Sequence, residues 1–141
     1  MRTILVGFDG SVQAKRAARV AADLATRDHA EVRLVDVVVP VIIPNEYPAM
    51  PVLSLVEDQL KAAEEDVQSF AKELAAQGTN VTTQVVRGAP AAELLRMCGK
   101  SPDVDLMVVG RAGKGAIARA VMGSVSSRLA HECPKPLMVI P

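Results

Sequence analysis

Five short apolar runs alternate along this chain with segments of helical period, and few architectures accept that order. Thr3-Ile4-Leu5-Val6-Gly7-Phe8 is β-branched and apolar, and Asp9-Gly10-Ser11 stops it. Ala14, Ala17, Ala18, Ala21 and Leu24 then recur at helical spacing. Val32 to Val39 forms the next apolar run and ends at Pro40; Val56, Leu60, Ala63, Val67, Phe70 and Leu74 follow as a helical stripe, with Gly78 placed as a C-terminal cap. A third run covers Val81 to Val86. Gly88 turns the chain, and Pro90 stands where the first position of a helix tolerates proline, ahead of Leu94, Leu95 and Cys98. Val104 to Val109 reads as a fourth strand and Gly110 to Gly123 as a long loop that could hold a helical turn. Ser124 to His131 then reads as a helix and Leu137 to Ile140 as a last strand.

Strands that are apolar throughout, separated by helices, predict a parallel sheet covered on both faces, because right-handed crossovers deposit a helix on one face or the other. The expected fold is therefore α/β, a doubly wound five-stranded parallel sheet of Rossmann-like type. Ligands of such sheets bind beyond the carboxyl ends of the strands where the strand order reverses. The turns after the first and fourth strands become the places to search, and both are rich in glycine.

Length and composition narrow the function. At 141 residues the chain is read as one domain, 1–141. Half of it is hydrophobic, yet no apolar run approaches the roughly 20 residues that span a bilayer, and Met1-Arg2 leads directly into a patterned strand with no signal-peptide cleavage site. No membrane association and a cytoplasmic location are expected. Sixteen basic and sixteen acidic residues give zero formal charge, and Phe and Tyr together number three, which disfavours nucleic acid as a partner. Cys98 and Cys133 have no further Cys or His at zinc spacing, since His131 and Cys133 cannot supply four ligands, so each is read as a reduced, small apolar side chain. Residues 39–54 carry four prolines among apolar side chains and are irregular for a strand-to-helix connection. Both a lid or oligomer contact and a surface loop packed on its own domain fit that composition.

The chemically informative segment is Val109-Gly110-Arg111-Ala112-Gly113-Lys114-Gly115, with Met122-Gly123-Ser124-Val125 opening the fourth helix. Glycine allows the backbone to bend through positive φ and bring N–H groups against phosphate oxygens; a helix N-terminus adds unpaired donors and partial positive charge. Ser124 is a candidate N-cap and hydroxyl donor, and Arg111, Lys114 and Arg119 are candidate counter-charges. Two better-known phosphate loops are excluded. A Walker A loop would need glycine where Val108 stands and Ser or Thr at Gly115. Gly113-x-Gly115-x-x-Ala118 satisfies the dinucleotide fingerprint by letter, but it follows the fourth strand rather than the first, and no acidic residue lies about 20 positions on, near Met138.

Gly110, Gly113, Gly123 and Ser124 resemble the universal stress protein pattern Gly-x2-Gly-x9-Gly-Ser/Thr, gaps intact. The resemblance extends over the whole chain: Ile4 to Ser11 is similar to that family's first strand and turn, Arg87-Gly88-Ala89-Pro90 to its third-strand exit, and Cys133 to Ile140 to its closing strand. It implies strand order 3-2-1-4-5 and the branch of the family that binds ATP, with Mg²⁺ carried on the phosphates. By the same resemblance Gly7, Phe8 and Asp9 would line the nucleotide, Asp9 near the ribose, and Val37 would contact adenine. Val109, Gly110, Ala112 and Gly113 would follow sugar and phosphates, and Gly123, Ser124 and Val125 would close round the phosphate tail. Ala112 stands where some relatives carry a polar residue. A homodimer through Leu137–Ile140 is also implied, Pro136 limiting strand pairing to the residues beyond it.

Simpler roles stand beside these. Asp9 and Ser11 could cap the first helix, Gly7 and Gly10 could serve only the turn, and Asp36 reads as an outward, solvated strand residue rather than a ribose ligand. His29 lies in a polar turn and His131 near a helix end, both read as structural or solvated. Glu57, Asp58, Glu64, Glu65 and Asp66 interleave with Lys61 and Lys72 as a solvated helix face. No Ser-His-Asp set, activated cysteine or paired carboxylate is assembled by the sequence. The leading expectation is thus a nucleotide-dependent stress sensor or regulator. A slow ATPase in which Asp9 and Ser124 help position metal and water, an AMP or cyclic AMP binder, and a nucleotide-free interaction module are the alternatives.

Overall fold

The structure is a computed structural model that describes residues 1–40, 49–114 and 122–141, with 49–53 as backbone only. Elements follow in the order β1 (Thr3–Gly7), α1 (Val12–Asp28), β2 (Glu31–Val38), α2 (Ala49–Ala76), β3 (Asn80–Arg87), α3 (Pro90–Lys100), β4 (Val104–Gly110), α4 (Ser124–Glu132) and β5 (Leu137–Ile140). All strand pairs are parallel, in one sheet of order β3-β2-β1-β4-β5. The chain steps outward from β1 to β3 and then crosses back to β4, so the order reverses between β1 and β4. There Val6 stands beside Val108, and on the other flank Gly7 stands beside Val35.

Side-chain alternation along the strands divides the core in two. Ile4 and Val6 of β1 face one layer with Val32 and Leu34 of β2, against the alanines of α1 and Val67, Phe70 and Leu74 of α2. Leu5 and Val35 face the other layer, with Leu94, Met97 and Cys98 of α3, Met107 and Val109 of β4 and Leu129 of α4. The small buried face of α1, Ala14, Ala17, Ala18, Ala21, Ala22 and Ala25, lets that helix lie close to the sheet. Ser11 starts it by accepting a hydrogen bond on Oγ from the Ala14 N–H, and His29 ends it in the left-handed region with φ 55°.

Several local expectations change. The last residues of the proline-rich segment belong to α2, where Pro51 falls in the first turn, a position whose amide has no intrahelical acceptor; residues 41–48 lie outside the described residues. Helix α4 is capped by Gly123, with Ser124 as its first helical residue rather than its cap. The opposite edge of the sheet, below the amino ends of the strands, carries an ionic network: Arg33 Nη2 lies 2.9 Å from Asp103 and Arg2 Nη2 lies 3.2 Å from Asp105.

Candidate functional site

Every residue singled out from the sequence as a ligand contact borders one cavity of about 870 Å³ at the carboxyl edge of the sheet. Gly7, Phe8 and Asp9 come from the β1 exit and Val37 from the end of β2. Val109, Gly110, Ala112 and Gly113 come from the β4 exit, and Gly123, Ser124 and Val125 from the start of α4. Arg111 and Lys114 border it too, whereas Gly115 and Arg119 lie outside the described residues. The sheet topology explains the convergence, because β1 and β4 are the neighbours between which the order reverses.

One half of the cavity is built to accept an anion. No side chain caps α4, and its intrahelical ladder begins only with the Ser127 N–H donating to Gly123 O, so the amides of Ser124 to Ser126 are left as first-turn donors. Their position is fixed from behind. The Ser126 hydroxyl lies 2.6 Å from Arg111 O and 3.1 Å from Gly123 O, the Gly123 N–H donates to Arg111 O at 2.8 Å, and the Arg111 N–H donates to Ile140 O at 2.7 Å. Sequence reasoning missed Ser126; its helical phase toward β4 was the available signal.

Gly110 and Gly113 serve close approach rather than unusual torsion. Positive φ among described glycines occurs at Gly10, Gly78 and Gly88, not at Gly110, Gly113 or Gly123. A Cβ on Gly110 would stand 2.9 Å from Gln13 Cβ and 3.1 Å from the Gln13 carbonyl carbon; on Gly113 it would strike the Asp9 carboxylate. That carboxylate spans two loops, Oδ1 accepting from the Ser11 N–H at 2.9 Å and Oδ2 from the Lys114 N–H at 3.0 Å. Asp9 thus both supports the start of α1 and ties the β1 exit to the β4 exit. The fit to a polyphosphate rests on this cradle of glycines beside uncapped amides. Among the described residues no group of three or more His, Cys, Asp or Glu side chains is placed to hold a metal ion.

The other half is acidic, and here the solvated reading of Asp36 is wrong. Asp36 shares a strand face with Val32, Leu34 and Val38, is only 8% exposed and borders the cavity. Burial pushes its carboxyl up to about 6; Lys114 opposes the shift, and the charges of Asp9 and Asp66 add to it. Asp66, assigned from sequence to a solvated face, also borders the cavity, and its Oδ2 lies against Gly10. Lys114 extends over the same glycine, its Cε 3.6 Å from where a Gly10 Cβ would be. Beyond the cavity wall, Cys98 and Cys133 bring their sulfurs to 3.9 Å, a proximity their separation in sequence hides; burial raises the Cys98 thiol to about 12.

Comparison with known proteins agrees with this architecture. Residues 1–141 match the universal stress protein family. A universal stress protein of Mycolicibacterium smegmatis is 32% identical over 97% of the chain, which spans 47% of that longer protein. One from Methanocaldococcus jannaschii is 30% identical over 99% of the chain and 81% of its own length. Among solved structures, UspA from Lactobacillus plantarum superposes with a TM-score of 0.89 at 23% identity, covering 99% of this chain and 97% of that one. Others with this fold are a universal stress protein from Archaeoglobus fulgidus in complex with dAMP, at TM-score 0.70 and 19% identity over 100% of this chain and 98% of that one, and a universal stress protein in complex with cAMP, at 0.63 and 23% over 99% and 95%. With a family match running from the first residue to the last and the same sheet fold in the solved relatives, the chain belongs to the universal stress protein family.

Proposed function

We propose that this protein binds an adenine nucleotide, ATP with Mg²⁺ on its phosphates, at the carboxyl edge of the sheet and acts as a nucleotide-dependent regulator in the cytoplasmic response to stress. The observation that carries this reading is the uncapped α4 N-terminus facing the glycine-lined exit of β4, a geometry that stabilises phosphate by direct amide donation. Relatives of the same fold in complex with dAMP and cAMP support an adenine nucleotide. In this reading Ser124 and Val125 amides hold the phosphate tail, Asp9 orients the ribose, and Val37 meets the base. Regulation rather than turnover is favoured because the two backbone hydrogen bonds that Asp9 accepts make it a tie between the β1 and β4 exits.

Calorimetric titration of nucleotide-stripped protein with Mg·ATP tests the reading; micromolar binding to wild type that is lost in Gly123→Val is the expected result. Absence of heat with ATP, AMP and cyclic AMP alike would remove the nucleotide from the function. A homodimer through β5 belongs to the same proposal, supported by an edge strand whose residues Leu137–Ile140 are all half-buried. Light scattering at micromolar concentration should give about twice the chain mass of 14.9 kDa, and a mass near one chain defeats the dimer.

A further inference from the structure

Away from the cavity, the fold sets the chain's two cysteines against each other. Leu94 and Cys98 stand one turn apart on α3, and Leu129 and Cys133 one turn apart at the end of α4, so both cysteines lie on the seam where the two helices pack. Their sulfurs are 3.9 Å apart, a contact distance. Cys98 is fully buried in the core layer that also holds Leu94, Met97, Met107 and Leu129, whereas Cys133, the C-cap residue of α4, is half-buried. The backbone around Cys133 is held on both sides. Its N–H donates to Leu129 O at 2.9 Å, Pro134 favours its extended conformation of φ −65° and ψ 123°, and Pro136 O accepts from the Met107 N–H at 2.9 Å. Neither cysteine borders the cavity. A lone buried thiol packs as a small apolar side chain. Two thiols in contact, one buried and one that solvent reaches, are a dithiol whose sulfurs need to close only to about 2 Å to bond, within the reach of side-chain rotation.

We propose that Cys98 and Cys133 are a modification site, closing to a reversible disulfide under hydroperoxide whether or not the cavity holds a nucleotide. The order of events follows from burial. Burial and the neighbouring Cys133 sulfur push the Cys98 thiol up to about 12, with Lys135 opposing, so Cys98 stays protonated and shielded and the first attack falls to Cys133. The Cys133 sulfur takes one oxygen of the hydroperoxide as the O–O bond breaks, and the thiol proton leaves with the other oxygen as alcohol, or as water when the oxidant is hydrogen peroxide. Cys133 is then a sulfenic acid. The Cys98 sulfur attacks it, the S–S bond forms, the S–O bond breaks, and the Cys98 proton leaves with that oxygen as water. Two thiols have given up two electrons and one hydroperoxide has been reduced. Contact between the sulfurs puts this closure ahead of attack by a second hydroperoxide, because the resolving thiol is already in place. In the reducing cytoplasm proposed above the pair rests as thiols and the disulfide is transient.

With two cysteines in the chain, an intramolecular disulfide has one possible connectivity. The test treats folded, nucleotide-free protein with hydrogen peroxide at a dose that consumes free cysteine completely, alkylates it with N-ethylmaleimide and weighs it under denaturing conditions. The expected product is a single chain lighter by about 2 Da, the two thiol hydrogens, with no alkylated thiol left, and dithiothreitol should restore both thiols. In Cys98→Ser the sulfenic acid has no resolving thiol, and dimedone should trap it at Cys133. In Cys133→Ser, a change at a half-buried position outside the packed core, Cys98 should remain a free thiol at the same dose. Retention of both thiols in wild type, oxidation of Cys133 alone with Cys98 still alkylated, or disulfide-linked pairs of chains in place of the internal bond would each overturn the proposal. So would oxidation of Cys98 in Cys133→Ser to the extent seen in wild type. Should Cys98→Ser fail to fold, the wild-type mass and the Cys133→Ser result decide the matter without it.

Discussion

A glycine can be required for what its missing Cβ leaves room for, and the motif glycines differ in that respect. At Gly110 the space belongs to α1: the backbone of Gln13 occupies it and cannot move without shifting the helix. Gly110→Ala should therefore destabilise the fold by about 1–3 kcal/mol, visible as a lower Tm with or without nucleotide. At Gly123, with φ −66° and no neighbour nearer than 3.4 Å, a methyl group fits. Gly123→Ala should keep stability within about 1 kcal/mol, so that any effect falls on ligand affinity. Equal losses of Tm in the two variants would show that this distinction is wrong. The spacing of these glycines was legible in the sequence; the reason for each was not, because close approach depends on which helix lies opposite. Asp36 was legible in part. Period two puts it on the face of Val32, Leu34 and Val38, but an aspartate near a strand end suggests solvent until the cover provided by α2 is known.

Among the elements, α2 decides how well the cavity is closed from one side. Its apolar stripe is half-buried at Val56, at Leu60 and at Ala63, the last of which borders the cavity, and fully buried only at Val67, Phe70 and Leu74, where the Phe70 ring stacks on Phe8 with centroids 5.3 Å apart. Arg19 crosses the same ring at 5.2 Å. Phe8 is the residue through which this packing reaches the β1 exit, since its neighbour Asp9 ties that exit to Lys114. Phe70→Ala should cost about 3–5 kcal/mol in chemical denaturation and weaken nucleotide binding as well, whereas Leu74→Ala, one turn further from the cavity, should cost about 2–5 kcal/mol with little effect on affinity in the folded fraction. Equal effects on affinity would mean that the stacked pair does not set the loop. Helical stripes and β-branched runs made these elements readable in advance. Helix starts were less readable: the N-cap of α4 moved to Gly123 because glycine and serine both suit that position and local sequence does not choose between them.

At the scale of the molecule, the two edges of the sheet carry opposite pH dependences. Below the amino ends, the Arg33 guanidinium beside Asp103, and Arg2 beside Asp105, hold those carboxyls below their usual range. Their contribution is present above the unfolded value near 4 and disappears as pH falls through the lower folded values. At the carboxyl edge Asp36 acts in reverse. Its folded value is about 6 against 3.8 unfolded, so between those limits the folded state holds the extra proton, and stability falls as pH rises across that window. Above pH 6 the full penalty remains, about 3 kcal/mol at most, since water in the cavity screens part of it. Asp36→Asn should therefore raise Tm by several degrees at pH 8 and hardly at all at pH 4 in nucleotide-free protein, with the difference appearing between pH 4 and 6. A uniform shift at every pH would place the effect in packing rather than in charge. The N-terminal network predicts the complementary result: Arg33→Gln should lower Tm at neutral pH and converge with wild type in acid, because that pair loses its attraction once Asp103 is protonated. The same chain is thus tightened by charge at the edge away from the cavity and loosened by it at the cavity.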